Sequence, residues 1–180
     1  MPREINILNG SFLEPVRLDV ISRRLELTFS APVNLIRANL DLRAAYDSSR
    51  RQAHSTELLS QILNGTFDVR CKRIGIVDVD LFIPVLTFVF GEAQLRGTAA
   101  IVSTHRLSNQ FYGLPRDEDL MIRRLEKEMV HELGHTFGLL HCHQFECVMR
   151  ASTYVEEIDL KQNHFCDICC RQMLRVTGGG

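Results

Sequence analysis

The segment His131-Glu132-Leu133-Gly134-His135-Thr136-Phe137-Gly138-Leu139-Leu140-His141 sets three histidines, a glutamate and a glycine in the order H-E-x-x-H-x-x-G-x-x-H. On a helix, residues four apart share a face with β-carbons about 6 Å apart, so His131 and His135 can aim both imidazoles at one ion. Glu132 lies on the shoulder of that face, able to take a proton from a water activated there without being needed as a ligand. Gly138 can adopt positive φ, end the helix and swing the chain back so that His141 becomes a third nitrogen ligand. Three neutral nitrogens leave a fourth coordination position open, as a catalytic zinc site requires and a structural one does not. With 7 histidines and 11 glycines in 180 residues, the five fixed positions coincide by chance on the order of 10⁻⁴ per chain or less.

Working upstream, Pro115 gives a rigid start, and Asp117, Glu118 and Asp119 put negative charge at the positive end of the helix dipole, so a long helix is predicted from here to Gly138. Ile122, Leu125, Met129 and Leu133 form its apolar stripe. At about 100° per residue, His131 lies about 200° from Met129 and from Leu133, facing away from that stripe. Arg123-Arg124, interleaved with Glu126 and Glu128, reads as a solvated face and not as a nucleic-acid patch. Ile5 to Leu8, Pro32 to Ile36, Arg73 to Val77, Val85 to Phe90 and Thr98 to Ser103 read as strands. Ser11-Phe12-Leu13-Glu14 has capping-box spacing before a helix running to about Leu27 on Leu13, Val16, Ile21 and Leu25. A charged turn region from Asp41 to Arg51 leads to a further helix around His54 to Leu63, which Asn64-Gly65 would end with an αL cap. Helices alternating with strands imply an α/β layer with a mostly parallel sheet. Beyond Gly138 the chain reads as short, cysteine-rich and irregular, ending in a Gly178-Gly179-Gly180 tail expected to be disordered.

Composition sets the frame. A chain of 180 residues, 45% hydrophobic and 24% charged, is globular and long enough for one core but not two. A net charge of -1 provides no cationic field for nucleic acid or anionic lipid, and neither partner is expected. Met1 to Gly10 lacks the apolar run of a secretion signal. The apolar stretch Ile74 to Phe90 is broken by Asp78, Asp80 and Pro84, too interrupted for a membrane span. A cytoplasmic, monomeric protein is therefore expected.

Of six cysteines, five lie between residues 142 and 170. In a reducing compartment such clusters are more often metal ligands than disulfides. Cys142 and Cys147, then Cys166-Asp167-Ile168-Cys169 after an 18-residue spacer, suit a closed four-thiolate structural zinc site. Cys170 competes with Cys169, which is favoured because two intervening residues is the commoner knuckle spacing; reduced cysteines packed as small hydrophobes are the plainer reading. His143 could replace one thiolate but is expected as a solvated loop residue. Cys71 is expected as a buried apolar residue, and His54, His105 and His164 lack ligand spacing.

The H-E-x-x-H-x-x-G-x-x-H segment resembles the metzincin clan of zinc metallopeptidases, with Met149 in Cys147-Val148-Met149 fitting the methionine-bearing turn under the zinc. The cysteine after the third histidine and the spacing of Cys147, Cys166 and Cys169 are similar to one branch, the archaemetzincins. So are Tyr46-Asp47 with Arg51-Gln52, Val89-Phe90-Gly91-Glu92-Ala93, Val102-Ser103 with Arg106-Leu107, and Phe111-Tyr112-Gly113. The resemblance implies an α/β fold of the α+β zincin type: a mixed twisted sheet, an active-site helix and a backing helix. It implies one catalytic domain over residues 1–180, with an upper subdomain, 1–138, and a small zinc-stapled lower subdomain, 139–180, separated by a cleft for a peptide or protein substrate. An antiparallel edge strand around Phe88 to Gln94 would line that cleft. Some metzincins carry a tyrosine ligand two residues after the methionine; Ala151 stands there, and Tyr154 is too far along.

A peptidase with two zinc ions, one catalytic at His131, His135 and His141 with Glu132 as general base, and one structural at Cys142, Cys147, Cys166 and Cys169, is thus the leading expectation. A two-zinc peptide- or protein-binding module without turnover and a zinc hydrolase of a non-peptide substrate use the same residues and stay open.

Overall fold

The computed structural model describes residues 2–65, 68 and 70–177; the triple-glycine tail lies outside them. In chain order the elements are β1 (Ile5–Asn9), α1 (Pro15–Phe29), β2 (Val33–Arg37), α2 (Leu42–Ala45), β3 (Tyr46–Asp47), β4 (Gln52–His54), α3 (Ser55–Asn64), β5 (Lys72–Val77), β6 (Leu81–Phe82), β7 (Gly91–Ala93), β8 (Ala99–Ser103), α4 (Glu118–Thr136), α5 (Val155–Leu160) and α6 (Asp167–Thr177). The main sheet runs β2-β1-β5-β8-β7 and a small one β3-β4-β6. β1, β2, β5 and β8 are parallel, in registers Ile5↔Val33, Ile5↔Lys72 and Arg73↔Ala99, while the edge strand β7 is antiparallel to β8, Gly91↔Val102.

The strand period of two sorts side chains between the two faces. Ile5, Ile7, Ile74, Ile76, Ala100 and Val102 meet α1 and the Ile122–Leu125–Met129–Leu133 stripe of α4. Leu8, Val77, Ala99 and Ile101 meet Leu58, Leu59 and Ile62 of α3. β5 and β8 are buried on both faces, which is why they read as continuous apolar runs.

Several expectations change. The Ser11–Glu14 capping box does not form: α1 starts at Pro15 with Glu14 at its N-cap and no side-chain cap. The helix buries Leu18, Ile21, Leu25 and Phe29 and leaves Val16 exposed. Gly65 is extended, φ -64°, not left-handed. Val85 to Phe90 is a loop joined to β6 by one bridge, Leu81↔Val89; the antiparallel edge strand is the shorter β7. The charged region before α3 contains α2 and the β3–β4 pair, and the segment beyond Gly138 contains α5 and α6. Arg124 is not on a solvated face: it is buried and bonded to Asp159, the Leu107 carbonyl and Asn109. Glu126 and Glu128 are buried as well.

Candidate active site and metal centres

α4 delivers the first two histidines. Asp117 caps its N-terminus by accepting from the Leu120 amide. At its other end Gly138 takes φ +92°, and the Leu139 amide donates back to the Gly134 carbonyl. The Lys72 ammonium, which burial draws down to about 8, donates to the carbonyls of Thr136 and Gly97 at 2.9 and 2.5 Å. It ties the helix end, with its negative dipole, to the loop between β7 and β8.

Each histidine of α4 is held through its Nδ1: His131 on the Val148 carbonyl at 2.8 Å, His135 on the Leu139 carbonyl at 2.7 Å. A carbonyl only accepts, so both Nδ1 atoms carry the proton and both Nε2 atoms are bare lone pairs, 3.1 Å apart. Two facing lone pairs repel unless a cation sits between them, and the separation is close to the edge of about 3.3 Å that tetrahedral Zn–N bonds of about 2.0–2.1 Å would give. The His141 ring closes the group, its centroid 5.3 and 4.9 Å from those of His131 and His135. Burial pulls all three imidazoles below their usual range, most strongly His131, and the charge of Lys161 adds to the pull. Neutral imidazole is the form that ligates.

Glu132 is buried against the edge strand. A β-carbon at Gly91 would lie 2.7 Å from its Cγ and 2.9 Å from its Oε1, so the glycine is what admits the carboxylate. Burial pushes this carboxyl well above the usual range and the charge of Glu128 pushes further, with Lys161 opposing. Met149, two residues after Cys147, is fully buried, its sulfur against Gly134. A cleft of about 580 Å³ runs past Ala93, His135, His131, Glu132 and Glu128 to Ser152. A hollow of about 670 Å³ at the start of α4 is lined by Arg17, Arg116, Glu118 and Asp119, already paired with one another.

The second group lies just beyond His141. The Sγ atoms of Cys142 and Cys166 are 3.7 Å apart and those of Cys147 and Cys169 3.8 Å. A disulfide requires about 2.05 Å, whereas a tetrahedron with Zn–S arms of about 2.3 Å has edges of about 3.8 Å. The Gln144 amide points at Cys142 Sγ and the Cys166 amide at Cys147 Sγ, both at 3.4 Å, the polarity a thiolate needs. The Cys170 sulfur lies instead at the Phe165 carbonyl, 3.6 Å. His143 and His164 are exposed, and Cys71 is buried beside Glu4. The sequence gives no sign of three residues that support the site: Lys72, Gly91 in its contact role, and Lys161. Glu128 was legible in principle, since it precedes Glu132 by four residues and so shares its face.

The model of the family described as "Peptidase family M54" matches residues 9–175. The chain belongs to peptidase family M54. The archaemetzincin of Methanocaldococcus jannaschii is 40% identical over 129 residues, 72% of this chain and 70% of that one. The crystal structure of the Methanopyrus kandleri archaemetzincin superposes with a TM-score of 0.85 at 31% identity, covering 98% of this chain and 96% of that one. That of Archaeoglobus fulgidus, determined with malonate, gives 0.79 at 33% identity over 94% and 99%. Membership makes the chain a zinc metallopeptidase, the activity for which the three-histidine group and the edge-strand cleft are suited. No helix among the described residues is long and apolar enough to cross a membrane.

Proposed function

We propose that this M54 chain hydrolyses peptide bonds at His131, His135 and His141, with Glu132 as general base and then general acid. The observation that carries this is the pair of bare Nε2 lone pairs 3.1 Å apart with a buried carboxylate one residue along the same helix. A zinc ion held by the three imidazoles supplies Lewis acidity that polarises a carbonyl and acidifies water. Glu132, raised by burial, takes a proton from the attacking water and returns it to the amide nitrogen as the C–N bond breaks. Gly91 keeps its carboxylate close to the edge strand, along which an extended peptide can add as a further antiparallel strand beside β7. The Val148 and Leu139 carbonyls hold the tautomers of His131 and His135 so that Nε2 stays unprotonated.

In this reading Cys142, Cys147, Cys166 and Cys169 bind a second zinc ion that is structural. The chain divides into an upper subdomain, 1–138, and a lower one, 139–180, and acts as a monomer. The Glu132→Gln variant tests the chemistry. It should keep its zinc by elemental analysis and lose about 10²-fold or more in kcat on a peptide library. Hydrolysis at the wild-type rate would show that Glu132 is not the base. Zinc binding without turnover by the wild type would favour a peptide-binding module.

A further inference from the structure

Lysine is among the side chains least suited to a dry interior, and the Lys161 side chain is 0% exposed. It follows α5, and its ammonium reaches two other parts of the molecule. Nζ lies 3.2 Å from Oε1 of Glu128, itself 5% exposed, and donates to the Arg150 carbonyl at 2.9 Å. Glu128 stands one helical turn before Glu132 on α4, and Arg150 directly follows Met149.

His131 binds the same turn from the helix side, through the Val148 carbonyl at 2.8 Å. The helix and the turn are therefore joined at two carbonyls that flank Met149, one held by a ligand imidazole and the other by the buried Lys161–Glu128 pair. Neighbouring clamps share the helix but do not reach the turn: Arg124 holds Asp159, Lys127 holds the Ile158 and Asp159 carbonyls, and Asn163 holds Glu126. A buried ion pair is a poor source of stability, since apolar residues of similar volume often serve as well. Its hydrogen bonds, by contrast, are directional and set a register.

We propose that Lys161, acting through Glu128, is a positioning residue that fixes α4 against the Val148–Arg150 turn and so fixes the aim of His131 and Glu132. The proposal rests on reading the three histidines as a zinc site. Removal of either partner alone leaves one uncompensated buried charge, which destabilises the chain in its own right, so the deciding variant is the charge-balanced Glu128→Leu/Lys161→Met.

Three properties are measured on the full-length zinc-loaded protein: Tm, zinc affinity at the histidines by chelator competition with the cysteine site filled, and kcat and KM on a peptide. The cobalt(II) absorption spectrum of the histidine site reports its geometry without any turnover. The double variant should keep a Tm within a few degrees of wild type. It should bind zinc at the histidines about tenfold or more weakly, shift the cobalt spectrum, and lower kcat more than it raises KM. Lys161→Arg, which keeps charge and donors, should recover part of the affinity.

Wild-type zinc affinity and cobalt spectrum in the double variant would overturn the proposal and leave the pair a purely structural one. So would tighter zinc binding in Lys161→Met with a wild-type double variant, because Lys161 would then act by charge alone. Should the wild type bind zinc at the histidines yet cleave no peptide, the peptidase reading fails while the affinity and spectral results still decide this one. A wild type that binds no zinc there overturns both.

Discussion

At Gly134 a hydrogen stands where a β-carbon would lie 2.5 Å from Met149 Sδ, 3.1 Å from its Cε and 3.3 Å from Phe165 Cε1. Glycine inside a helix ordinarily costs about 0.5–1 kcal/mol relative to alanine, so an alanine here would stabilise an isolated α4. In the folded chain the contact outweighs propensity. Gly134→Ala should destabilise by about 1–3 kcal/mol in chemical denaturation, because Met149 must leave its place under the helix. The double variant Gly134→Ala/Met149→Ala should cost less than the sum of the two singles, since the residues touch; additive costs would show that Met149 does not press on Gly134. This residue occupies one of the unspecified positions of H-E-x-x-H. Spacing makes His131, His135, Gly138 and His141 legible, because each has a role that helix geometry alone defines. Gly134 is silent in sequence because its role is defined by a methionine fifteen positions downstream.

Among elements, the cleft wall from Ile83 to Phe90 departs furthest from its sequence. Its β-branched and aromatic residues read as a strand, yet two of the carbonyls that a neighbouring strand would engage, those of Leu86 and Thr87, are taken by side chains. Arg50 Nη2 donates to the Leu86 and Thr87 carbonyls at 3.1 and 3.2 Å, and Gln52 Nε2 to that of Thr87 at 2.9 Å. Gln52 also donates to Asp80, which pairs with Arg106, whose guanidinium lies over Phe88 at 4.0 Å. Satisfying these groups from β4 and its neighbours lets the chain turn at Pro84 and still wall the cleft. Gln52→Leu removes both of these donor bonds and the one that Gln52 Oε1 accepts from Arg50 Nε at 3.1 Å. It should cost about 1–2 kcal/mol, speed amide exchange over residues 85–89 and raise KM more than kcat; unchanged exchange there would show that the wall is not held through Gln52. The inner parallel strands β5 and β8, by contrast, are legible because burial on both faces selects continuous apolar runs. The ionic face of α4 reads as solvated for a related reason: residues 158–163, which cover Arg124, Glu126 and Glu128, lie some thirty positions downstream, and nothing local announces that cover.

For the molecule as a whole, residues 142–177 are the part that packing alone holds least. α5 has 6 residues and α6 has 11, below the length at which isolated helices persist in water, which is why periodicity in the sequence did not reveal them. Val155, Ile158, Phe165, Cys169 and Met173 do join the main core, but the segment is short for its irregular path, and the four clustered cysteine sulfurs are where a metal would add most to folding. The two centres are also adjacent in the chain: His141 precedes Cys142, whose amide donates to the Met149 carbonyl at 2.9 Å. Loss of the zinc ion proposed at the cysteines should therefore loosen His141 and the turn beneath the histidines, whereas His131 and His135 stand on a helix that the main sheet supports independently. The expected asymmetry can be measured by elemental analysis of purified protein. The wild type should carry two zinc ions per chain, and His135→Ala should carry one with little change in Tm. Cys169→Ser should carry fewer than one, with a lower Tm and faster amide exchange throughout 142–177. If Cys169→Ser keeps a full histidine zinc and wild-type exchange over that segment, or if native wild-type protein holds one zinc while all four cysteines react with a thiol reagent, the cysteine centre is not what orders the lower part of the molecule.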